Sequence, residues 1–477
     1  MQKEPGKLQP FILLFIAIVV LVGGSLLPIE KLTNGKLRNY NLLQDIMVSQ
    51  PDSTEIAISE ISNIDPALVA IIETSKSDST DLNSEERHSV QDTIFYAHSE
   101  IVDTTINPRV GDLVILEDYT IDGTGLKYLK KSIENKETLN RPIRIAFLGD
   151  SYIEGDIFSQ HIRQELQDLY GGSGVGYFNL YSEFPGFRRS IKQSGSGWTT
   201  HDFLKDNVSN KYLTISQQYF NSSTNANATY KGTKYVRHID KWNFSKFLFI
   251  CQDSTTISTK VGAEWINHSV AGSDSVQCIN ISIPTEEFSV KTSSESLIGL
   301  GVWLEDSHGI TVDCMSTRGS SGITLTRVNK NLSHQLSQYI QYDLIILEYG
   351  INAMTAGQTN FNAYAAHMGK VIEHLRNCYP NTDIILMGIG DRGEKRGSEV
   401  HSMRNVPIMV NAQRQLAKRM QCVFWDTREA MGGEDAAVKW ANHTPAYVNK
   451  DYIHLSYKGG EVLASEFVKS LTHAINE

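Results

Sequence analysis

Three short stretches of this chain carry residue types suited to nucleophilic acyl chemistry. Ser151 closes the run Arg144-Ile-Ala-Phe-Leu-Gly-Asp-Ser151, where an apolar stretch ends on small, turn-forming residues. A hydroxyl used as a nucleophile needs a base for its proton, and Asp451-Tyr-Ile-His454 offers one. Three residues of separation in a turn bring the carboxylate beside the imidazole, which fixes its tautomer and supports the imidazolium. A tetrahedral intermediate also needs donors for its oxyanion. Asn352, in Gly350-Ile-Asn352 after an apolar run, offers a side-chain amide. Taken singly, each stretch is also ordinary loop chemistry: Gly-Asp-Ser is a turn with a helix cap, Asn a residue after a strand, D-x-x-H an exposed loop pair.

The elements around them are what could bring them together. The apolar run before Ser151 reads as a short strand, followed by an amphipathic helix from about 157 to 169. A second apolar strand, from Tyr342, delivers Gly350 and Asn352, and Asp451 and His454 precede a helix over 461–475. Buried parallel strands end at one carboxyl edge, where open sheets place their sites. The order strand, Gly-Asp-Ser, helix, strand, Gly-x-Asn, then D-x-x-H before a terminal helix resembles the SGNH (GDSL-like) serine hydrolase family. The resemblance covers Arg141 to about Pro185 and Ile298 to Glu477. It implies an α/β fold, a three-layer α/β/α sandwich around a mainly parallel sheet. It also implies an esterase in which Ser151 attacks, His454 takes the proton and later activates water, and Asp451 orients His454. The implied oxyanion hole combines the backbone N–H groups of Ser151 and Gly319 with the Asn352 side chain, Ser316 being the other position for the glycine block. The α/β-hydrolase elbow G-x-S-x-G is not formed around Ser151, because position 153 is Ile. No Walker A loop, H-E-x-x-H or EF-hand pattern occurs, so neither cofactor nor metal is expected.

Outside these blocks the chain changes character. Residues 187–297 are rich in Ser, Thr and Asn and carry short apolar runs at 211–215, 247–250 and 277–283. Such spacing predicts an inserted β-sandwich module between hydrolase parts at 119–186 and 298–477, with a helix in 119–136. Trp198, Trp242 and Trp265 offer faces for sugar stacking, with core packing in a sandwich the first reading for any one of them. Phe11 to Leu27 is an uncharged apolar run behind Lys3 and Lys7. Residues 1–30 therefore read as a membrane anchor, a transmembrane helix with the body outside the cytoplasm, or as a cleaved signal segment. Residues 31–118 read as a largely disordered linker, poor in aromatic residues.

Composition limits the partners. A formal charge of -10 over 477 residues, with no basic stripe, argues against sequence-independent nucleic-acid binding. Five scattered cysteines without C-x-x-C spacing favour buried free thiols, with a Cys251–Cys278 pairing left open. An SGNH core split by a β-module, with Gly149-Asp-Ser-Tyr-Ile-Glu-Gly-Asp156 and the glycine-rich run ending at Phe178, resembles the bacterial peptidoglycan and cell-envelope O-acetylesterase branch. That branch implies an acetylated envelope glycan as substrate. Transfer of the acetyl group to a sugar hydroxyl, and glycan binding without catalysis, are the competing functions.

Overall fold

The computed structural model describes residues 108–204 and 208–477. The expected anchor at 1–30 and most of the expected linker lie outside the described residues. Three short strands come first, β1 (Arg109–Val110), β2 (Leu113–Val114) and β3 (Glu117–Asp118), then helix α1 (Lys127–Glu134). Strand β4 (Ile143–Gly149) leads to helix α2 (Ser159–Tyr170). The β-module follows with β5 (Gly176–Phe178), β6 (Ile191–Asp202), β7 (Gln218–Gly232), β8 (Phe244–Cys251), β9 (Thr255–Val261), β10 (Glu264–Val270), β11 (Ser273–Ile281), β12 (Glu287–Thr292) and β13 (Ile298–Glu305). The chain then alternates: β14 (Ile310–Ser316), α3 (Lys330–Leu336), β15 (Leu344–Glu348), α4 (Asn362–Cys378), β16 (Asp383–Met387), a hairpin of β17 (Gly393–Arg396) and β18 (Glu399–Ser402), α5 (Val406–Met420), β19 (Val423–Trp425), α6 (Thr427–Met431), α7 (Ala436–Asn442) and α8 (Tyr457–Asn476).

The central sheet has the order β14-β4-β15-β16-β19-β3, parallel except for the β19–β3 edge pair. Its strands are buried on both faces, which is why they read as continuous apolar runs. Alternation still divides them. Ala146, Leu148, Ile345 and Leu347 face a core with α3, α4 and α5, while Ile145, Phe147, Leu344 and Ile346 face one with α1, α2, α6, α7 and α8. This is a three-layer α/β/α arrangement. Strand β4 lies between β14 and β15, so the chain crosses from one side of it to the other between those two strands. The carboxyl ends of all three meet at this crossing, the place where an open sheet forms a crevice.

Several boundaries depart from the sequence reading. Residues 109–118, expected as linker, are structured: β3 closes the sheet edge, and buried Glu117 accepts two bonds from Arg414 Nε and Nη2 at 2.9 and 3.0 Å. A single carboxylate on a two-residue strand leaves too little pattern to see in advance. The expected helix in 119–136 occupies only Lys127–Glu134, because its first turn is held by Asp383 Oδ2, which accepts the Tyr128 and Leu129 N–H groups at 2.9 Å. The β-module is one hydrogen-bonded sheet of nine strands rather than two separate sheets, and it draws in β5 and β13 from beyond 187–297. The long β6–β7 ribbon bends at a bulge between Ser196 and Trp198, where Gly197 and Asn225 take positive φ. One half of β7 pairs with β13 and the other with β12, and side chains of the strands on either side, Phe247 of β8 and Val290 of β12 among them, share a core. The run at 211–215 forms no strand; Leu213 and Ile215 bury against the central core instead.

All five cysteines are free thiols. No helix among the described residues is long and apolar enough to cross a membrane.

Candidate active site

Ser151 sits two residues past the end of β4, half-buried, on the turn that leads to α2. Its Oγ lies 2.9 Å from His454 Nε2. His454 Nδ1 lies 2.8 Å from Asp451 Oδ2, so with the proton on Nδ1 directed at the carboxylate, Nε2 is free to accept from the serine hydroxyl. The other Asp451 oxygen accepts the N–H groups of Ile453 and His454 at 2.9 and 3.0 Å. Burial would raise the Asp451 pKa, but the bonds from the His454 ring and from these two N–H groups outweigh it and hold the acid below its ordinary value. The turn is anchored just downstream, where Ser456 caps α8 by accepting from Gly459 N at 3.1 Å. Gly460 has a packing purpose: a Cβ there would stand 2.1 Å from the Ile157 carbonyl. Its absence lets α8 close against the segment that follows Ser151.

Asn352, just beyond β15, turns its amide towards the nucleophile's neighbours. Its Nδ2 donates to Asp150 Oδ2 at 2.8 Å and to the Ser320 carbonyl at 3.1 Å. Asp150 is fully buried and also accepts the Tyr152 N–H at 2.9 Å, which braces the turn around Ser151. Burial pushes Asp150 up to about 7, against the Tyr152 N–H, His454 and Asn352, all of which favour its charge. Behind it lies Glu348, the last residue of β15. Burial first, and the neighbouring Asp150 charge second, hold Glu348 well above the usual carboxylate range; its Oε2 has no hydrogen-bond partner among the described residues.

Gly319 occupies the turn after β14, at φ 80°, a conformation that favours glycine. This turn is fastened at both ends: Thr317 N donates to the Gly149 carbonyl at 2.9 Å, and Ser320, which follows Gly319, accepts from Asn352. Ser316, the other position considered for the glycine block, is the last residue of β14 and pairs with Gly149. The structure thus links Ser151, His454 and Asp451 by direct hydrogen bonds, and joins Asn352 to Asp150 and to the Gly319 turn.

Residues 292–462 match the model of the GDSL-like Lipase/Acylhydrolase family. That segment of the chain is similar to the family. The chain is an ester-hydrolysing enzyme. Among solved structures, it shares its fold with a peptidoglycan O-acetylesterase: 21% identity, 76% of this chain and 99% of that one covered, TM-score 0.63. An acetylxylan esterase from Geobacillus stearothermophilus matches at 19% identity over 34% of this chain and 73% of its own, TM-score 0.24. A family two carbohydrate esterase from Clostridium thermocellum in complex with cellohexaose matches at 9% identity over 54% and 95%, TM-score 0.27. Comparison with curated proteins yields no match.

The matched segment excludes β4 and Ser151, which the β-module separates from it along the chain. Asp150 and Glu348 were not singled out from the sequence. The available signal was a carboxylate closing each of two otherwise apolar strand runs, a placement that burial makes costly without a purpose. Of the tryptophans, Trp198 and Trp242 are core residues, while Trp265 is exposed with Lys291 Nζ 4.2 Å from its ring centre.

Proposed function

We propose that this acylhydrolase removes O-acyl groups, chiefly O-acetyl, from a cell-envelope carbohydrate, with Ser151 as nucleophile, His454 as general base and acid, and Asp451 as its orienting carboxylate. The observation that carries the reading is the continuous chain from Ser151 Oγ through His454 to Asp451, at 2.9 and 2.8 Å, at the carboxyl edge of a parallel sheet. His454 Nε2 takes the hydroxyl proton as Oγ bonds to the acyl carbon. Collapse of the tetrahedral intermediate expels the sugar oxygen, which receives that proton. Water, deprotonated by His454, then attacks the acyl-enzyme and releases the free acid.

The developing oxyanion calls for donors. The backbone N–H groups of Ser151 and Gly319 and the Asn352 amide fill that role in this reading. Asn352 already spends its two hydrogens on Asp150 and Ser320, so stabilising the oxyanion requires one of them to be shared or handed over as the substrate binds. Residue types and spacing support an extracytoplasmic position: the uncharged run of residues 11–27 behind two lysines would hold the enzyme at the membrane with its site on the side where envelope glycans lie.

The test is acetate release from an O-acetylated envelope glycan, with and without excess unacetylated oligosaccharide. Free acetate in both conditions is the expected result. Acetyl groups moving to the added oligosaccharide would make the enzyme a transferase, and no release by an enzyme that cleaves simple aryl esters would reject the glycan assignment.

A further inference from the structure

A cavity of about 920 Å³ opens at the junction of the hydrolase core and the β-module, walled by Glu154, Gly155 and Asp156 from the turn after Ser151 and by Gln193 and Gln218 from the module. We infer that it is a subsite for an uncharged sugar unit offering hydroxyl or amide donors, adjoining the ester-bearing unit of the glycan. The inference rests on the esterase reading above and adds to it the charge and chemistry of the substrate.

Location comes first. Glu154 N donates to the Ser151 carbonyl at 3.4 Å, so this wall is continuous with the nucleophile's own turn. Ser316 and Arg318, at the end of β14, line the cavity's other side and lead into the Gly319 turn. A chain whose ester lies at Ser151 has this space next to it.

Charge comes second. Every charged side chain lining the cavity already has a partner of opposite sign. Arg318 pairs with Glu154 at 2.6 Å, and Arg188 pairs with Asp156 at 3.2 Å while its guanidinium stacks 4.3 Å from the Phe178 ring centre. Asp156 is further held by Arg163, through Nη1 at 2.8 Å and Nη2 at 2.9 Å, and by the Ser190 hydroxyl at 2.7 Å. Arg188 Nη2 makes this ion pair but no hydrogen bond among the described residues, so it can still donate into the cavity; a carboxylate or phosphate drawn to it would approach against the Asp156 carboxylate 3.2 Å away, which a neutral sugar oxygen would not.

Hydrogen bonding gives the chemistry. Asn179 Oδ1 and Gln193 Oε1, both on residues lining the cavity, are buried acceptors without a partner among the described residues. Gln193 Nε2 donates to the Asn179 carbonyl at 2.7 Å, which fixes the end of that amide carrying the oxygen. Buried acceptors call for donors, and a sugar hydroxyl or amide N–H supplies them where a carboxylate cannot. Phe184 and Phe187 also line the cavity and are 75% and 41% exposed. Exposed rings beside convergent amides suit the apolar C–H face of a sugar.

The experiment compares the wild-type chain with Phe184→Ala and Gln193→Leu on three acetyl esters: an aryl acetate, an O-acetylated, fully N-acetylated chito-oligosaccharide, which is neutral, and an O-acetylated oligogalacturonate, which carries carboxylates. The aryl ester is too small to reach the subsite, and its turnover should not change in either variant. For the neutral oligosaccharide each variant should raise KM about tenfold with kcat unchanged. The wild type should favour the neutral over the carboxylated oligosaccharide. Unchanged KM in both variants, equal or better turnover of the carboxylated substrate, or no turnover of the neutral one by an enzyme that cleaves aryl acetate each overturns the subsite. Failure on aryl acetate as well would instead reject the esterase reading. Should Gln193→Leu fail to fold, Phe184→Ala, on an exposed ring, still decides.

Discussion

Two carboxylic acids, Asp150 and Glu348, are buried behind the turn that carries Ser151, and among the described residues neither has a cation bonded to it. Glu348 is held well above the usual carboxylate range by burial and by Asp150. The folded chain therefore keeps a proton that the unfolded chain, with an ordinary glutamate pKa of about 4.3, releases as pH rises. Stability falls with rising pH over that window and levels off only above the folded pKa. Glu348→Gln removes the ionisation while keeping an acceptor for the Asp150 N–H. Its melting temperature relative to wild type should be near zero difference at pH 4 and increasingly higher towards pH 8. A difference that stays flat with pH, or a less stable variant at pH 8, would show that Glu348 is ionised in the folded state. At the same scale, Asn352→Ala should lower kcat by about 10²–10³-fold, the loss typical of one oxyanion donor, with KM for an aryl acetate little changed. A loss confined to KM would make Asn352 a binding residue.

At the scale of elements, the site exists because β4 lies between β14 and β15. The β-module is fastened to this same region by buried polar contacts. Arg144 on β4 pairs with Glu305 on β13, and Glu305 also takes Lys246 Nζ at 2.7 Å. Asp313 on β14 accepts Trp303 Nε1 at 2.8 Å and Tyr177 N at 2.9 Å, both from the module, and the Tyr342 hydroxyl at 2.8 Å. Removing one member of a buried pair leaves the other uncompensated. Arg144→Met should thus destabilise the fold by about 3–5 kcal/mol, seen as a lower urea midpoint. An unchanged midpoint would mean that Lys246 alone neutralises Glu305. Strands β4 and β15 were legible in the sequence because burial on both faces leaves uninterrupted apolar runs such as Leu344–Glu348. Strand β3 was not, since two residues carry no periodicity and its place depends on Glu117 meeting Arg414, almost three hundred positions away. The same holds for the start of α1, which is set by Asp383 from another strand.

For the molecule as a whole, the sequence showed the presence of a β-rich insertion but not how it is built or where it ends. Alternating runs predict strands; they do not reveal that β6 and β7 form one bent ribbon joining both halves of a single sheet. Nor do they show that β5 and β13, in segments assigned to the hydrolase core, pair inside the module. Ser151, Gly319 and Asn352 were legible because they stand in turns just past strand ends, where Gly, Asp, Ser and Asn are conspicuous against apolar runs, and Asp451 and His454 because of their spacing before the terminal helix. Asp150 and Glu348 were harder to see, because a charge beside such a run looks like the run's solvated end until the fold buries it. The same folding makes the module part of the wall beside Ser151 and not a separate appendage.

In the proposed reaction Ser151 carries the acyl group between donor and water. This is tested most directly by acid-quenching the enzyme during turnover of an aryl acetate and weighing the peptide that contains residue 151. One acetyl group on Ser151 is expected in the wild type, and neither acetylation nor turnover in Ser151→Ala. Turnover that persists in Ser151→Ala, or an acetyl group found on another residue, would contradict that role.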